Sequence, residues 1–190
     1  LMLTISVHHP QVMDFIKIKR DLTKVTGANI SVRVTDEFMK AVKSDSHYTV
    51  RWPVDSDNPE IHDHIKATEV WNALIEGAHA SAEPGVLFWD TAKKMTPADI
   101  YEDEGFGSVS TNPCGEIILS PYDSCRLMLI NLTSFVNNAW KPSAEFDYGK
   151  FRDITRKAQR LMDDMIDLEI EQVDKILAKI DDDPEPDEVK

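Results

Sequence analysis

The sequence predicts an α/β fold with largely parallel strands. Strand-like runs alternate with stretches of helical spacing, an order that places helices between strands pairing in parallel. The segment "GVLFWD" carries Val86, Leu87, Phe88 and Trp89 as one apolar run, the pattern of a strand covered on both faces. Apolar residues make up 42% of the 190, enough to bury a core. Element order alone leaves barrel and open sheet equally available.

The first strand is "LMLTISV", followed by "HHPQVMDFIKIKRDL", where Pro10 sits near a helix start and Val12, Phe15 and Ile16 share a face. "ANISVRV" alternates, with Ile30, Val32 and Val34 on one side and Ser31 and Arg33 on the other, and Thr35 then caps "DEFMKAV". "HYTVRWPVDSDNP" reads as a short strand ending in turn residues. A helix follows through Ile65, Val70, Trp71, Leu74, Ile75 and Ala78, with His62-Asp63-His64 at its opening, and stops at Glu83-Pro84-Gly85. Beyond the "GVLFWD" strand, Thr91 to Ser110 reads as an acidic loop, and "RLMLINLTSFV" as another strand. The spacing of Phe151, Ile154, Leu161, Met165, Leu168, Val173 and Ile176 predicts a long helix over 148–180, and "DDDPEPDEVK" (181–190) breaks it as a solvated acidic connector. No internal repeat is present.

Acids outnumber bases 34 to 21, a formal charge of -13, so phosphate backbones and anionic lipid would repel the chain. A nucleic-acid or membrane surface is therefore a poor reading, and no apolar run approaches the roughly 20 residues a bilayer span requires. The chain reads as soluble. "LMLTISVHH" opens without an initiator methionine, a basic n-region or a cap, as if cut from something longer. Two cysteines in a chain of this size point to a reducing, cytoplasmic setting, where paired thiols are more often catalytic or metal-bound than structural. The sequon Asn131-Leu132-Thr133 then reads as a chance match inside a buried strand.

Both cysteines lie in "TNPCGEIILSPYDSC" (111–125). A zinc site there would need two ligands beyond Cys114 and Cys125, and only Glu116 and Asp123 are nearby. A disulfide is sterically allowed, since the ten intervening residues can fold back. His8 and His9, adjacent on a strand, point to opposite faces, while His62 and His64 with Asp63 are ordinary polar positions at a helix start; no metal site is assigned. Neither a phosphate-cradling glycine loop nor a serine hydrolase elbow is present. The remaining reading is thiol chemistry. If the segment is extended, Asn112, Cys114 and Glu116 face one side and offer amide, sulfur and base to one substrate, while Pro113 and Gly115 shape the loop around it. The plain alternative is that Asn-Pro-Cys-Gly is only a turn.

"TNPCGEI" followed by "SCRLMLINL" resembles the active-site finger loop of ribonucleotide reductase large subunits, in particular the adenosylcobalamin-dependent class II enzymes. "LMLTISVHHPQVMDFI", "ANISVRVTDEFMKAV", "EPGVLFWD" and "AQRLMDDMIDLEI" are similar to the same family in the same order. The resemblance implies that residues 1–190 are the central part of a ten-stranded α/β barrel carrying the finger loop, with a long C-terminal helix. It implies that Cys114 becomes a thiyl radical taking the substrate's 3′ hydrogen, that Glu116 takes the 3′-hydroxyl proton, and that Asn112 orients the ribose. Residues 112–116, including Pro113 and Gly115, would line the substrate. Cys125 would be one of two reducing cysteines, regenerated by a thioredoxin-type dithiol.

The implied cofactor is adenosylcobalamin, and the implied partners are a ribonucleotide, a nucleotide effector and the remaining segments of the parent reductase. The family's second reducing cysteine has no counterpart among the two cysteines here, so the chain by itself is expected to be inactive. Arg126, Met128 and Leu129 stand where many class II members have smaller or polar residues, which keeps a class I catalytic subunit, served by a separate radical-generating subunit, as the alternative. Two further alternatives are one piece of a split reductase acting through assembly, and a small zinc or redox-switch protein.

Overall fold

The computed structural model describes residues 1–21 and 23–185. The chain divides into two units, Leu1–Cys125 and Arg126–Lys190. Of the expected acidic connector, residues 186–190 lie outside the described residues.

The first unit is built on a three-stranded parallel sheet, ordered β1 (Met2–Ser6), β2 (Asn29–Val34), β5 (Gly85–Phe88). Between these strands run α1 (Val12–Lys17), α2 (Asp36–Lys43) and α3 (Ala67–Ser81), as the alternating pattern predicts. The sheet is open, and no closed barrel forms among the described residues.

The two faces of this sheet differ in chemistry because side chains alternate along each strand. Val32 and Val34 of β2 join Val12 and Ile16 of α1, Phe38 and Ala41 of α2, and Val70, Ala73 and Leu74 of α3 in one buried core. The opposite face is polar: Thr4 stands beside Ser31, Ser6 beside Arg33, and Arg33 beside Leu87. Gly85 keeps β5 close to β2, since a Cβ there would lie 2.6 Å from Ser31 Oγ. One face is thus spent on stability, and the other is left for polar work.

Thr35 caps α2 as predicted, its hydroxyl accepting from the Phe38 N–H at 3.2 Å. The Asp36 N–H, another free donor of that helix start, donates to Asp90 Oδ2 at 2.7 Å. His8 is a structural tie. Its Nδ1 lies 2.8 Å from the Thr49 carbonyl, which can only accept, so Nδ1 donates there, and Nε2 is hydrogen-bonded to the Thr35 hydroxyl at 2.8 Å. Tyr48 beside it donates to the Val7 carbonyl at 2.8 Å, and burial pushes its phenol pKa up, so it remains a donor.

Several expectations are corrected. His62-Asp63-His64 do not open a helix; they lie on β4 (Ile61–Lys66), paired antiparallel with β3 (His47–Trp52). The physical reason is that β3 needs a hydrogen-bonded neighbour, and the turn after Trp52 returns the chain beside it with Ile65 facing the core. The acidic stretch after "GVLF" is not a plain loop but α4 (Trp89–Met95) and a 3-10 segment, Pro97–Glu104, with Pro97 at its first turn.

In the second unit "RLMLINLTSFV" is not one strand. Residues 126–131 hold no regular element, Leu132–Phe135 is a 3-10 turn, and only Val136–Asn137 (β8) pairs, with Glu145–Phe146 (β9). An apolar run becomes a strand only against a hydrogen-bonded neighbour, and none flanks 126–131 among the described residues. Leu129 is accordingly 96% exposed. The sequon is likewise exposed rather than buried in a strand, with Asn131 Oδ1 accepting from the Thr133 N–H and hydroxyl.

The long helix is present as α5 (Tyr148–Asp181), capped by Asp147, whose carboxylate accepts from the Lys150 N–H at 2.9 Å. Phe135, Phe146 and Phe151 pack together at its start. No helix among the described residues is long and apolar enough to cross a membrane.

Candidate active site

The cysteine loop forms a tight hairpin between two short strands, β6 (Ser110–Thr111) and β7 (Ile118–Leu119), paired antiparallel. The pairing extends beyond the strands. Val109 N–H donates to the Leu119 carbonyl at 2.9 Å, and Asn112 N–H to the Ile117 carbonyl at 3.1 Å. Upstream, Asp99 holds the approach by accepting from both the N–H and the hydroxyl of Ser108, at 2.9 and 2.6 Å.

Asn112 closes the turn with every acceptor it has. Its carbonyl accepts from the Gly115 N–H at 3.0 Å and the Thr111 hydroxyl at 2.9 Å, and its Oδ1 accepts from the Ile117 N–H at 3.0 Å. Gly115 sits at φ +81°, a backbone conformation that costs glycine nothing and other residues something. The two residues between them, Pro113 and Cys114, are carried on the outside of the turn.

This geometry corrects the premise that 112–116 is extended. Asn112, Cys114 and Glu116 are not aligned by strand alternation; Asn112 is 5% exposed at the base of the turn, while Cys114 and Glu116 project from it into the open. Pro113 is exposed and Gly115 half-buried against Leu87. The amide oxygen of Asn112 accepts one bond inside the hairpin, which leaves its second lone pair and its Nδ2 donors for anything outside. Cys125 follows after the hairpin, and both cysteines are free and exposed.

The hairpin lies on the polar face of the parallel sheet. Thr4 and Ser110 hydroxyls approach to 3.5 Å, and Arg33 Nη1 donates to the Val109 carbonyl at 3.1 Å. The hairpin thus carries an exposed thiol and an exposed carboxylate two residues apart on a turn whose backbone is tied down. Sequence reasoning missed Arg33, Trp89 and Asp99 as supports. Only Arg33 left a trace, as the one charge on the polar side of its strand.

The family model described as the ribonucleotide reductase barrel domain matches residues 1–183. The chain belongs to this ribonucleotide reductase family. Its relatives include the vitamin B12-dependent ribonucleoside-diphosphate reductase of Thermoplasma acidophilum, 37% identical over 180 residues, covering 90% of this chain and 22% of that protein. The enzyme of the same name from Mycobacterium tuberculosis is 32% identical over 169 residues, with shares of 88% and 22%. The vitamin B12-dependent ribonucleotide reductase of Rhodopirellula baltica is 31% identical over 131 residues, with shares of 68% and 12%. The chain therefore spans about one fifth of the length of the first two reductases it matches.

Proposed function

We propose that this chain is the central segment of the catalytic subunit of an adenosylcobalamin-dependent ribonucleotide reductase, and that it works in the cytoplasm joined to the remaining segments of that subunit. The observation that carries the reading is the hairpin itself: a free, exposed Cys114 held on a turn that Asn112 ties shut, in a chain of the reductase family. The names of the curated relatives favour the cobalamin-dependent type over a class I subunit. The parallel strands β1, β2 and β5 are then part of a ten-stranded barrel wall, and their outer edges await neighbours from the rest of the protein.

The donor set suits the cofactor, since Cys114 offers an accessible thiol hydrogen to a radical source that would face it. Adenosylcobalamin, when bound, supplies the radical that removes this hydrogen atom. The Cys114 thiyl then takes the 3′ hydrogen of the ribonucleotide, Glu116 accepts the 3′-hydroxyl proton, and Asn112 Nδ2 donates to a ribose oxygen. The 2′-hydroxyl leaves as water, and once C2′ is reduced Glu116 returns its proton to the 3′-oxygen and Cys114 returns the hydrogen atom to C3′, which restores the thiyl. Cys125 and a second thiol supply two electrons and two protons, end as a disulfide, and are restored by a thioredoxin-type dithiol; a nucleotide effector acts on the whole subunit.

The test is activity of the full-length reductase with ribonucleotide and dithiol, with and without adenosylcobalamin. Deoxyribonucleotide is expected only with the cofactor. Turnover that depends instead on a separate metal-containing radical subunit would sink the cobalamin reading.

Asn112→Asp separates two tasks of one side chain. Aspartate can still accept from the Ile117 N–H, so the hairpin should persist, but it offers no donor to the ribose. A fall in kcat/KM with the hairpin amides still protected from exchange is expected. Wild-type kcat/KM would remove Asn112 from substrate recognition.

A further inference from the structure

Arg33 occupies an unusual position. It lies on β2, the middle strand of the parallel sheet, on the polar face opposite the packed core. Its guanidinium stacks over the Trp89 ring at 4.9 Å from the centroid, and its Nη1 donates to the Val109 carbonyl, the residue just before β6. Its Nε is buried without a hydrogen-bond partner among the described residues. Burial pushes the guanidinium pKa down and the charge of Asp55 pushes it back up, yet arginine stays charged at any working pH. A mostly desolvated cation is costly, and here the cost is met at one end by an indole face and at the other by a backbone carbonyl of the hairpin.

The strand register extends this contact. Arg33 pairs beside Leu87 on β5, and Leu87 lies under the turn, where a Cβ on Gly115 would meet its Cδ2 at 3.6 Å. Beside the Thr4–Ser110 approach on β1, the hairpin therefore has two seats on the neighbouring strands β2 and β5. Arg33 holds its base at Val109, and Leu87 supports its turn at Gly115, next to Cys114. Two seats fix the tilt of a hairpin as well as its height, which a single contact cannot do.

We propose that Arg33 is the positioning residue of the cysteine hairpin: by clamping Val109 to the middle strand it sets where Cys114 stands above the polar face of the sheet. Its importance for catalysis rests on the proposed reductase function; the clamp itself does not. Lysine could reach the same carbonyl but lacks the planar fork that stacks on Trp89 while donating, so Arg33→Lys should serve only in part.

Two measurements test this. In the first, amide exchange is followed in this chain with Arg33 and with Arg33→Met, which keeps an apolar stem but removes the donor and the charge. The Val109 and Asn112 amides, which close the hairpin, should exchange roughly tenfold faster or more, as loss of one charge-assisted hydrogen bond implies, and Arg33→Lys should fall between. The Val70 and Leu74 amides of α3 should not change. Unchanged hairpin amides, or an equal acceleration everywhere, would overturn the clamp.

In the second, Arg33→Met in the full-length reductase should lower kcat while KM for the ribonucleotide stays within about twofold, with partial recovery in Arg33→Lys. A loosened hairpin with wild-type kcat would overturn the positioning role. If the unaltered full-length protein fails to reduce ribonucleotides, the activity reading fails, and the exchange result still decides the clamp.

Discussion

Replacing Cys114 with serine should abolish deoxyribonucleotide formation by the full-length reductase, even with dithiothreitol supplied as reductant. A serine O–H does not yield its hydrogen atom under conditions where a thiol does, so no radical forms at position 114 and the first step fails. The structure makes the substitution a clean one. Cys114 is exposed, and the bonds that close the turn run through Asn112, Gly115 and Ile117, so serine leaves the hairpin standing. Its effect on stability should stay within about 0.5 kcal/mol, as for other exposed substitutions away from special backbone features.

Cys125→Ser provides the contrast. Under the proposed mechanism serine at 125 removes a reducing thiol but not the radical, so an early substrate radical should still form, detectable by rapid-freeze electron paramagnetic resonance, while multiple turnover stops. Near-native turnover in the Cys114 variant would refute the radical assignment.

The parts of the fold set by local chemistry were readable in advance. Thr35 caps α2 because a hydroxyl before an apolar helical repeat has few better uses, and α5 runs from Tyr148 because its apolar positions recur over more than eight turns. Elements that depend on a distant partner were not. Ile61–Lys66 became a strand because β3 lies beside it, whereas 126–131 lacks such a neighbour and stays irregular despite a stronger apolar run. Trp89 and Asp90 read as the end of a strand, yet Trp89 lies under Arg33 and Asp90 binds the α2 start, contacts between residues more than fifty positions apart.

The candidate site divides in the same way. The residue types in "NPCGE" raised thiol chemistry as an expectation, but their arrangement came from a turn rather than from strand alternation, because Gly115 permits a positive φ and Asn112 supplies acceptors on both its backbone and its side chain. The Asn-Pro-Cys-Gly segment is therefore a turn, and being a turn is what exposes the thiol.

That arrangement makes Glu116→Gln the sharpest test of the acid-base half of the mechanism. Glutamine matches glutamate in size and shape but has no carboxylate to take a proton, and Glu116 projects from the hairpin into the open, so little else changes. Removal of a positioned general base typically costs ~10²–10⁴-fold in rate, and a fall of that size is expected in single-turnover reduction by the full-length reductase. Glu116→Asp should lie between, since it keeps the carboxylate but withdraws it by one methylene from the 3′-hydroxyl. Amide exchange at Asn112 and Ile117 should match the unaltered protein in both variants, which ties any loss to chemistry rather than to a disordered loop. If the glutamine variant reduces substrate at the wild-type rate, Glu116 is not the base, and the proton from the 3′-hydroxyl must leave by another group. If the aspartate variant is instead as impaired as glutamine, contrary to the intermediate rate expected, the position of the carboxylate matters as much as its charge.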